Sequence, residues 1–415
     1  MRIFIILFFF LNIAYAGNAT IEVIKKADSL PTIAIEDASI SYTDTFKLQF
    51  FKSLVADLNV ISLFNVDRHY RYINYNNTDV LVANKDMNYV LRYKMFEDDN
   101  AALNVQVKLL NDNEEVFSKK YRVSKKNIYM FVSHAIAFDI NEFMGAPSVS
   151  WMKRKVIFSR VVAPRKTEIV IADYTLSYQY TVLKGGFNIF PKWATNDQNG
   201  FYYSSLDDKP TLKYVDIKAG KIKSIVSSDG MIVCSDVSCD GKTLLLTMAL
   251  NGQPDIYSYS LEKKTYKRLT FYNGIDVNGQ FLGGDKIVFI SSRLGYPNVF
   301  SKQLSTNDVE QMVYYGKSNS ACSVHGEYIV YKARESSHAF SKNTFNLHLI
   351  STKTDFIRRL TAVGINEFPR FSQDGDAIIF IKNYKAQSAI GIIRLNHNKN
   401  YLFPLKYGRI QSMDW

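Results

Sequence analysis

Asp276 and Glu367 are the carboxylates whose setting best suits holding a cation. Each stands in a polar loop that the repeat described below brings toward a common axis. A metal ion bound between them would activate water, the chemistry of a metal-dependent hydrolase. Two loop carboxylates make a thin donor set, because a hard cation such as calcium takes about six to eight oxygens. Nucleophilic and nucleotide chemistry find no support: the chain has no Gly-x-Ser-x-Gly elbow, no His-Glu-x-x-His pair and no Gly-x-x-x-x-Gly-Lys-Ser/Thr loop. Its six histidines, His69, His134, His325, His338, His348 and His397, never fall at metal-ligand spacing. His134 lies on an amphipathic helical stretch and His325 replaces the Asp of a turn, so both read as surface or packing residues. Cys234 and Cys239 bracket one extended strand, which separates them by roughly 15 Å, beyond disulfide reach. With Cys322 they are expected to be core thiols, and no cofactor is implied.

The elements that would carry these residues follow from a repeat. Trp193, Val237, Phe281, Cys322, Phe371 and Trp415 each stand just before or within a polar turn, at intervals of 41 to 49 residues. That period belongs to a unit of four short strands, and radial stacking of such units makes a β-propeller. Second strands are expected at 201–205, 243–248, 286–291, 328–333 and 377–382. Third strands follow at 211–217, 255–261, 298–304, 346–351 and 389–395, and fourth strands at 221–226, 265–269, 309–314, 355–360 and 401–405. Runs such as Leu244-Leu245-Leu246 and Ile378-Ile379-Phe380-Ile381 suit strands covered on both faces. The fourth strands carry charge, as in Tyr266-Lys267-Arg268, which suits an outer edge that must resist further pairing. Asp240-Gly241 and Asp374-Gly375 are strong hairpin signals. Three strands at 156–160, 167–173 and 179–183 lack an innermost partner, and 410–415 is the strand left to supply it. The expected fold is therefore multi-domain, a small N-terminal α/β domain followed by a six-bladed β-propeller closed by the C-terminal strand.

Residues 1–16 carry Arg2, an apolar run and Ala14-Tyr15-Ala16, the pattern of a secretory signal peptide cleaved after Ala16 or Ala19. Residues 17–31 read as a flexible tail, 32–145 as the α/β domain, 146–155 as a linker and 156–415 as the propeller. Within the α/β domain, strands are expected at 32–35, 80–83, 89–96, 103–110 and 116–123. One helix should be capped by Thr43 or Asp44, with Phe46, Phe50, Leu54 and Leu58 on one face. A second should start near Ser124 and bury Ile128, Val132, Ala135, Ile136 and Ile140. The chain is basic, with 51 Lys and Arg against 39 Asp and Glu. Those cations are scattered without interleaved aromatic residues, which argues against nucleic acid. For an exported chain, acidic envelope surfaces are the nearer attraction.

The order and lengths of these parts, over essentially all 415 residues, resemble the TolB family, periplasmic proteins of the Tol–Pal cell-envelope system. The motifs that carry the likeness are 368–375 (Phe-Pro-Arg-Phe-Ser-Gln-Asp-Gly), 291–300 (Ser-Ser-Arg-Leu-Gly-Tyr-Pro-Asn-Val-Phe), Arg268-Leu269-Thr270 and Arg359-Leu360-Thr361. The resemblance implies binding without catalysis, by a monomer in the periplasm that supports outer-membrane integrity and cell division. Its partners would be the peptidoglycan-associated lipoprotein Pal, met at the propeller mouth, and the C-terminal domain of TolA, met by the N-terminal tail. In the tail, the β-prone Thr20, Ile21, Glu22, Val23 and Ile24 would pair by strand addition. At the mouth, the loops from each fourth strand to the next first strand contain Met231, Ile232, Gly274, Asp276, Asn278, Asn319, Asn366 and Glu367. The competing function class is a secreted, lactonase-like propeller hydrolase that depends on a metal.

Overall fold

Thr43 starts the first helix by accepting the Phe46 N–H on its hydroxyl at 3.4 Å, in the computed structural model that describes residues 30–76, 87–335, 344–384 and 387–415. The leader at 1–16, Thr20 to Ile24 and the strand expected at 80–83 lie outside the described residues. Strand β1 (Thr32–Asp37) precedes this helix, α1 (Asp44–Ile61). Phe50, Leu54 and Leu58 recur every turn of α1 and are fully buried. The short β2 (Asn65–Val66) and β3 (Arg71–Tyr72) pair parallel with β1, as does β4 (Tyr89–Glu97). β5 (Leu103–Asn111) and β6 (Glu114–Val123) extend the sheet antiparallel. Leu103, Val105, Val107 and Leu109 alternate toward the core, as a sheet with one covered face requires. The second helix, α2 (Tyr129–Phe143), starts later than expected because a 3-10 turn spans Lys126–Ile128. That tighter winding shifts Ile128 off the buried stripe. Met130, His134 and Ala137 are buried in its place, and Ala135 is only partly buried.

Beyond the helix the chain builds meanders of four strands. Three sheets span 188–227, 232–268 and 276–311. An eight-stranded sheet over 317–404 is two such meanders, joined by a parallel bridge between Phe345 and Ile365. The remaining sheet takes the C-terminal strand Arg409–Asp414 against Val156–Ala163, followed by Lys166–Ala172 and Gln179–Lys184. These six sets are blades 1 to 6, blade 1 being the composite one. Their first strands are Arg409–Asp414, Asn188–Trp193, Ile232–Val237, Asp276–Phe281, Lys317–His325 and Ile365–Phe371. Each touches the first strand of the blade before and the blade after, and the last returns to the first. In blade 5 the anchor place belongs to Val324 rather than Cys322. Val324 pairs with Ile329 as Phe281 pairs with Ile287 and Phe371 with Ile378. Extra register shifts within that first strand move the frame by two residues. The fourth strands of blades 4 and 5 are also shorter than expected, Val309–Gln311 and Ile357–Arg359. Outer edges hold one neighbour only, so their ends unpair first.

The two parts share one apolar core, in which Phe50 and Ile136 join Trp151, Tyr174, Ile379 and Trp415. A buried polar cluster crosses the same seam. Asp57 of α1 accepts hydrogen bonds from Ser133 of α2 and from the Tyr174 hydroxyl of the propeller. His134 lies between carboxylates, with Nδ1 2.9 Å from Asp57 and Nε2 3.2 Å from Asp173. Both ring nitrogens therefore donate, which makes the ring an imidazolium. Burial works against that charge, but Asp57 and Asp173 outweigh it and hold the His134 pKa up at about 9. His134 is thus no surface residue: it is the cation between two domains. Arg394 adds a bond to the Ile61 carbonyl at 2.7 Å, and Tyr401 one to the Asn59 carbonyl at 2.8 Å.

A histidine whose folded pKa is raised contributes stability that is complete below its unfolded value of 6.5 and fades as the pH climbs through about 9. The unfolding temperature should accordingly fall between pH 6.5 and pH 10. In His134→Gln that fall should be smaller, as differential scanning calorimetry across the range would show.

Candidate functional site

Antiparallel meanders give a propeller two unlike ends. Turns from first to second and from third to fourth strands lie at one end. Turns from second to third strands, with the connectors between blades, lie at the other. The connectors are tied to the latter turns, since Met231 O accepts the Ala249 N–H at 2.9 Å and Ile275 O the Ser292 N–H at 2.9 Å. Gly364 O accepts the Phe345 N–H at 3.0 Å in the same way. The N-terminal layer sits on the first end, over blades 1 and 6: it meets Asp173 and Tyr174 in one 3-to-4 turn, and Ser150 meets Asp374 in a 1-to-2 turn at 3.0 Å. The connector end faces away from that layer.

Exposed apolar side chains gather in the connectors. Met231 stands between blades 2 and 3, Phe271 and Ile275 between 3 and 4, Tyr314 and Tyr315 between 4 and 5. Val363 and Tyr407 continue the series between blades 5 and 6 and between 6 and 1. Val363 is 64% exposed and Tyr315 68%, large values for residues that gain by burial. Patches of this kind on a soluble surface mark sites where another protein docks. Met231 stood among the residues expected at the mouth; the others were passed over because the expectation favoured mostly the polar and small members of each loop. An apolar side chain next to a turn signal, in a segment between two blades, was the signal available.

The residues expected at the mouth divide into two groups. Met231 is exposed, and Gly274, Asn278 and Glu367 are partly so. Ile232, Asp276, Asn319 and Asn366 are fully buried. Asn319 donates to Asn298 Oδ1 at 3.0 Å, and Asn366 to Asn346 Oδ1 at 3.1 Å, so each ties the first strand of one blade to the third strand of the blade before it. Asn278 takes a left-handed backbone, which asparagine tolerates, and its amide reaches the Cys322 carbonyl of the next blade's first strand at 3.0 Å. At Gly274 a Cβ would lie 2.3 Å from the Tyr272 ring and 2.7 Å from the Ser292 hydroxyl, so a larger residue must displace those side chains. The carboxylates singled out for a cation are engaged elsewhere. Asp276 pairs with Arg293 at 3.3 Å, and Glu367 pairs with Lys332 at 3.1 Å and accepts from Asn383 at 2.8 Å. Cys234 and Cys322 are buried as expected, but Cys239 is exposed, because it belongs to the hairpin turn rather than to the strand.

Deeper in the channel, the residues preceding the anchors form a ring. Asp414 lies 3.2 Å from Lys192 and 3.4 Å from Arg370, and Lys192 continues to Asp236 at 3.4 Å. Gln280 reaches the Ser235 carbonyl at 2.7 Å, and Arg370 the Cys322 carbonyl at 3.3 Å. Asp414, Asp236 and Ser323 also accept the backbone N–H of the next anchor, Trp193, Phe281 and Phe371, at 2.9, 2.9 and 3.3 Å. Burial disfavours the charge of Lys192, but Asp414 and Asp236 more than offset this and raise its pKa. Among the described residues no group of three or more His, Cys, Asp or Glu is arranged to hold a metal.

Residues 149–415 match the family model described as the TolB beta propeller domain. The Tol-Pal system protein TolB of Wolinella succinogenes is 46% identical over the full length of both chains. Its counterpart in Campylobacter jejuni is 41% identical, again over all of both. The crystal structure of TolB from Acinetobacter baumannii superposes with a TM-score of 0.74, covering 93% of this chain and 97% of that one at 20% identity.

Removing the Asp414 carboxylate leaves two largely buried cations without their shared counter-ion. Asp414→Ala should cost about 3–5 kcal/mol, the range for breaking a buried pair from one side. Urea unfolding of the variant measures it, and a loss below about 1 kcal/mol would show that the ring does not close the propeller.

Proposed function

Because the chain belongs to the TolB family of Tol–Pal system proteins, we propose that it is a non-catalytic periplasmic scaffold of that system. It binds the peptidoglycan-associated lipoprotein Pal on the connector end of the propeller. It binds the TolA C-terminal domain through the N-terminal tail, with Thr20, Ile21, Glu22, Val23 and Ile24 as the pairing strand. The observation that carries the first contact is the crown of exposed Met231, Ile275, Tyr315, Val363 and Tyr407 at the end that the N-terminal layer leaves open. Buried Asp276, Asn319 and Asn366 serve that crown by fixing the connectors, while Met231 and Glu367 stand where a partner reaches them. Export is supported by the leader pattern at 1–16, and among the described residues no helix is long and apolar enough to cross a membrane. A scaffold reading also suits Asp276 and Glu367, whose charges are already matched by Arg293 and Lys332.

Calorimetric titration with the soluble domain of Pal tests this reading. Met231→Glu combined with Val363→Glu should weaken binding at least tenfold, about 1.4 kcal/mol, with stability changed by no more than about 0.5 kcal/mol. Deleting residues 17–29 should abolish capture of the TolA C-terminal domain and leave Pal binding intact. Full affinity in the double variant would remove the connector end from consideration.

A further inference from the structure

Between blades 3 and 4 the flank of the propeller opens into a groove of about 1000 Å³. Its lining residues come from both blades and include the nearly buried Leu269, the partly buried Phe281 and the exposed Phe271. Lys302 projects from the third strand of blade 4 into this groove and is only 5% exposed. Its ammonium donates to the Leu269 carbonyl at 2.7 Å and stands 5.6 Å from the Phe271 ring centre. Among the described residues it has no carboxylate at ion-pair distance. The contrast within the chain is clear, since Lys192 has both Asp236 and Asp414, and Lys332 has Glu367. Asp276, the acid whose charge acts on Lys302, is already taken by Arg293 at 3.3 Å.

A buried charge without a partner is costly, and an ammonium with one of three donors used keeps two to offer. We propose that this groove binds an acidic peptide segment, one of whose carboxylates completes the ion pair with Lys302. Lys267, exposed on the facing wall from blade 3, meets a second acid. Phe271, 65% exposed and flanked by the Arg268 guanidinium at 5.0 Å, receives an apolar side chain of the peptide. The volume sits at the upper end of the ~300–1000 Å³ usual for ligand pockets, far more than a lone inorganic anion fills. Asp240 closes the opposite rim, its carboxylate held by the Ser238 hydroxyl at 2.6 Å and the Lys242 N–H at 3.0 Å. That charge directs acidic side chains toward the Lys302 end. The groove runs along the flank, so its ligand is additional to whatever docks on the connector crown.

Fluorescence anisotropy of the full chain with a labelled hexapeptide of alternating leucine and glutamate tests the assignment. The glutamate peptide should bind at least tenfold more tightly than the same peptide with glutamine. Lys302→Met, which keeps the length of the stem, should lower that affinity at least tenfold and leave the unfolding temperature equal or higher. Phe271→Ala, away from the buried charge, should weaken the peptide independently, and Lys302→Met should leave Pal binding unaltered. Equal affinity for the two peptides, or unchanged binding in Lys302→Met, overturns the proposal. So does a fall in stability for Lys302→Met, which would make the ammonium a structural donor to Leu269. Displacement of the peptide by inorganic phosphate at equal concentration overturns it too, by reducing the site to one for simple anions.

Discussion

Asp414, the penultimate residue, binds Lys192 of blade 2, Arg370 of blade 6 and the backbone of Trp193. One carboxylate thus joins the strand that ends the chain to the blades on either side of it. A ring of blades has no interior element to hold it shut, and its closure rests on whichever sheet combines the two ends of the repeat. Here the hydrogen bonds of Arg409–Asp414 with Val156–Ala163 supply the covering of the edge. The charges around the channel supply the angular match between neighbours. Two cations and two anions, all largely buried, lose stability when any one member is removed. This makes the ring cooperative: the blades are held by a circuit, and the last strand is the link that completes it.

Domain docking uses the same physics at the other radius. His134 between Asp57 and Asp173 is a buried cation whose two counter-ions belong to different domains. Apolar packing around Trp151, Tyr174 and Trp415 surrounds it, so the N-terminal layer rests on the composite blade itself. The closure of the propeller and the seating of the first domain are therefore one structural event. This arrangement commits the turn-rich end of blades 1 and 6 to an internal contact. It leaves the connector end, with its tyrosines and aliphatic residues, for other molecules.

Much of the architecture was legible because its causes are local. Apolar runs such as Ile378 to Ile381 need cover on two faces, Asp240-Gly241 needs a tight turn, and Thr43 needs a helix to cap. The second strand at 286–291 agrees to the residue. Legibility failed where neighbours, rather than the segment, set the answer. Cys322 has the composition of an anchor, yet the bulges of its strand hand that place to Val324. Asp276, Asn319 and Asn366 look like loop residues ready for a partner, yet each is turned inward onto a group from its own or an adjoining strand.

What the sequence by itself determined was periodicity: four strands to a blade, six blades, and a first blade short of one strand that the C-terminus alone was left to fill. Those follow from alternation, turn chemistry and counting, which travel along the chain. Tertiary structure alone decided which polar side chains are partners of one another. Lys192 meets Asp414, and His134 meets Asp57 and Asp173, across separations in sequence that no spacing rule spans. Among the described residues Lys302, with the same side chain as Lys192, is left without a carboxylate at ion-pair distance. Charge pairing depends on distance and burial in three dimensions, and residues of one type acquire opposite roles only when the fold has placed them.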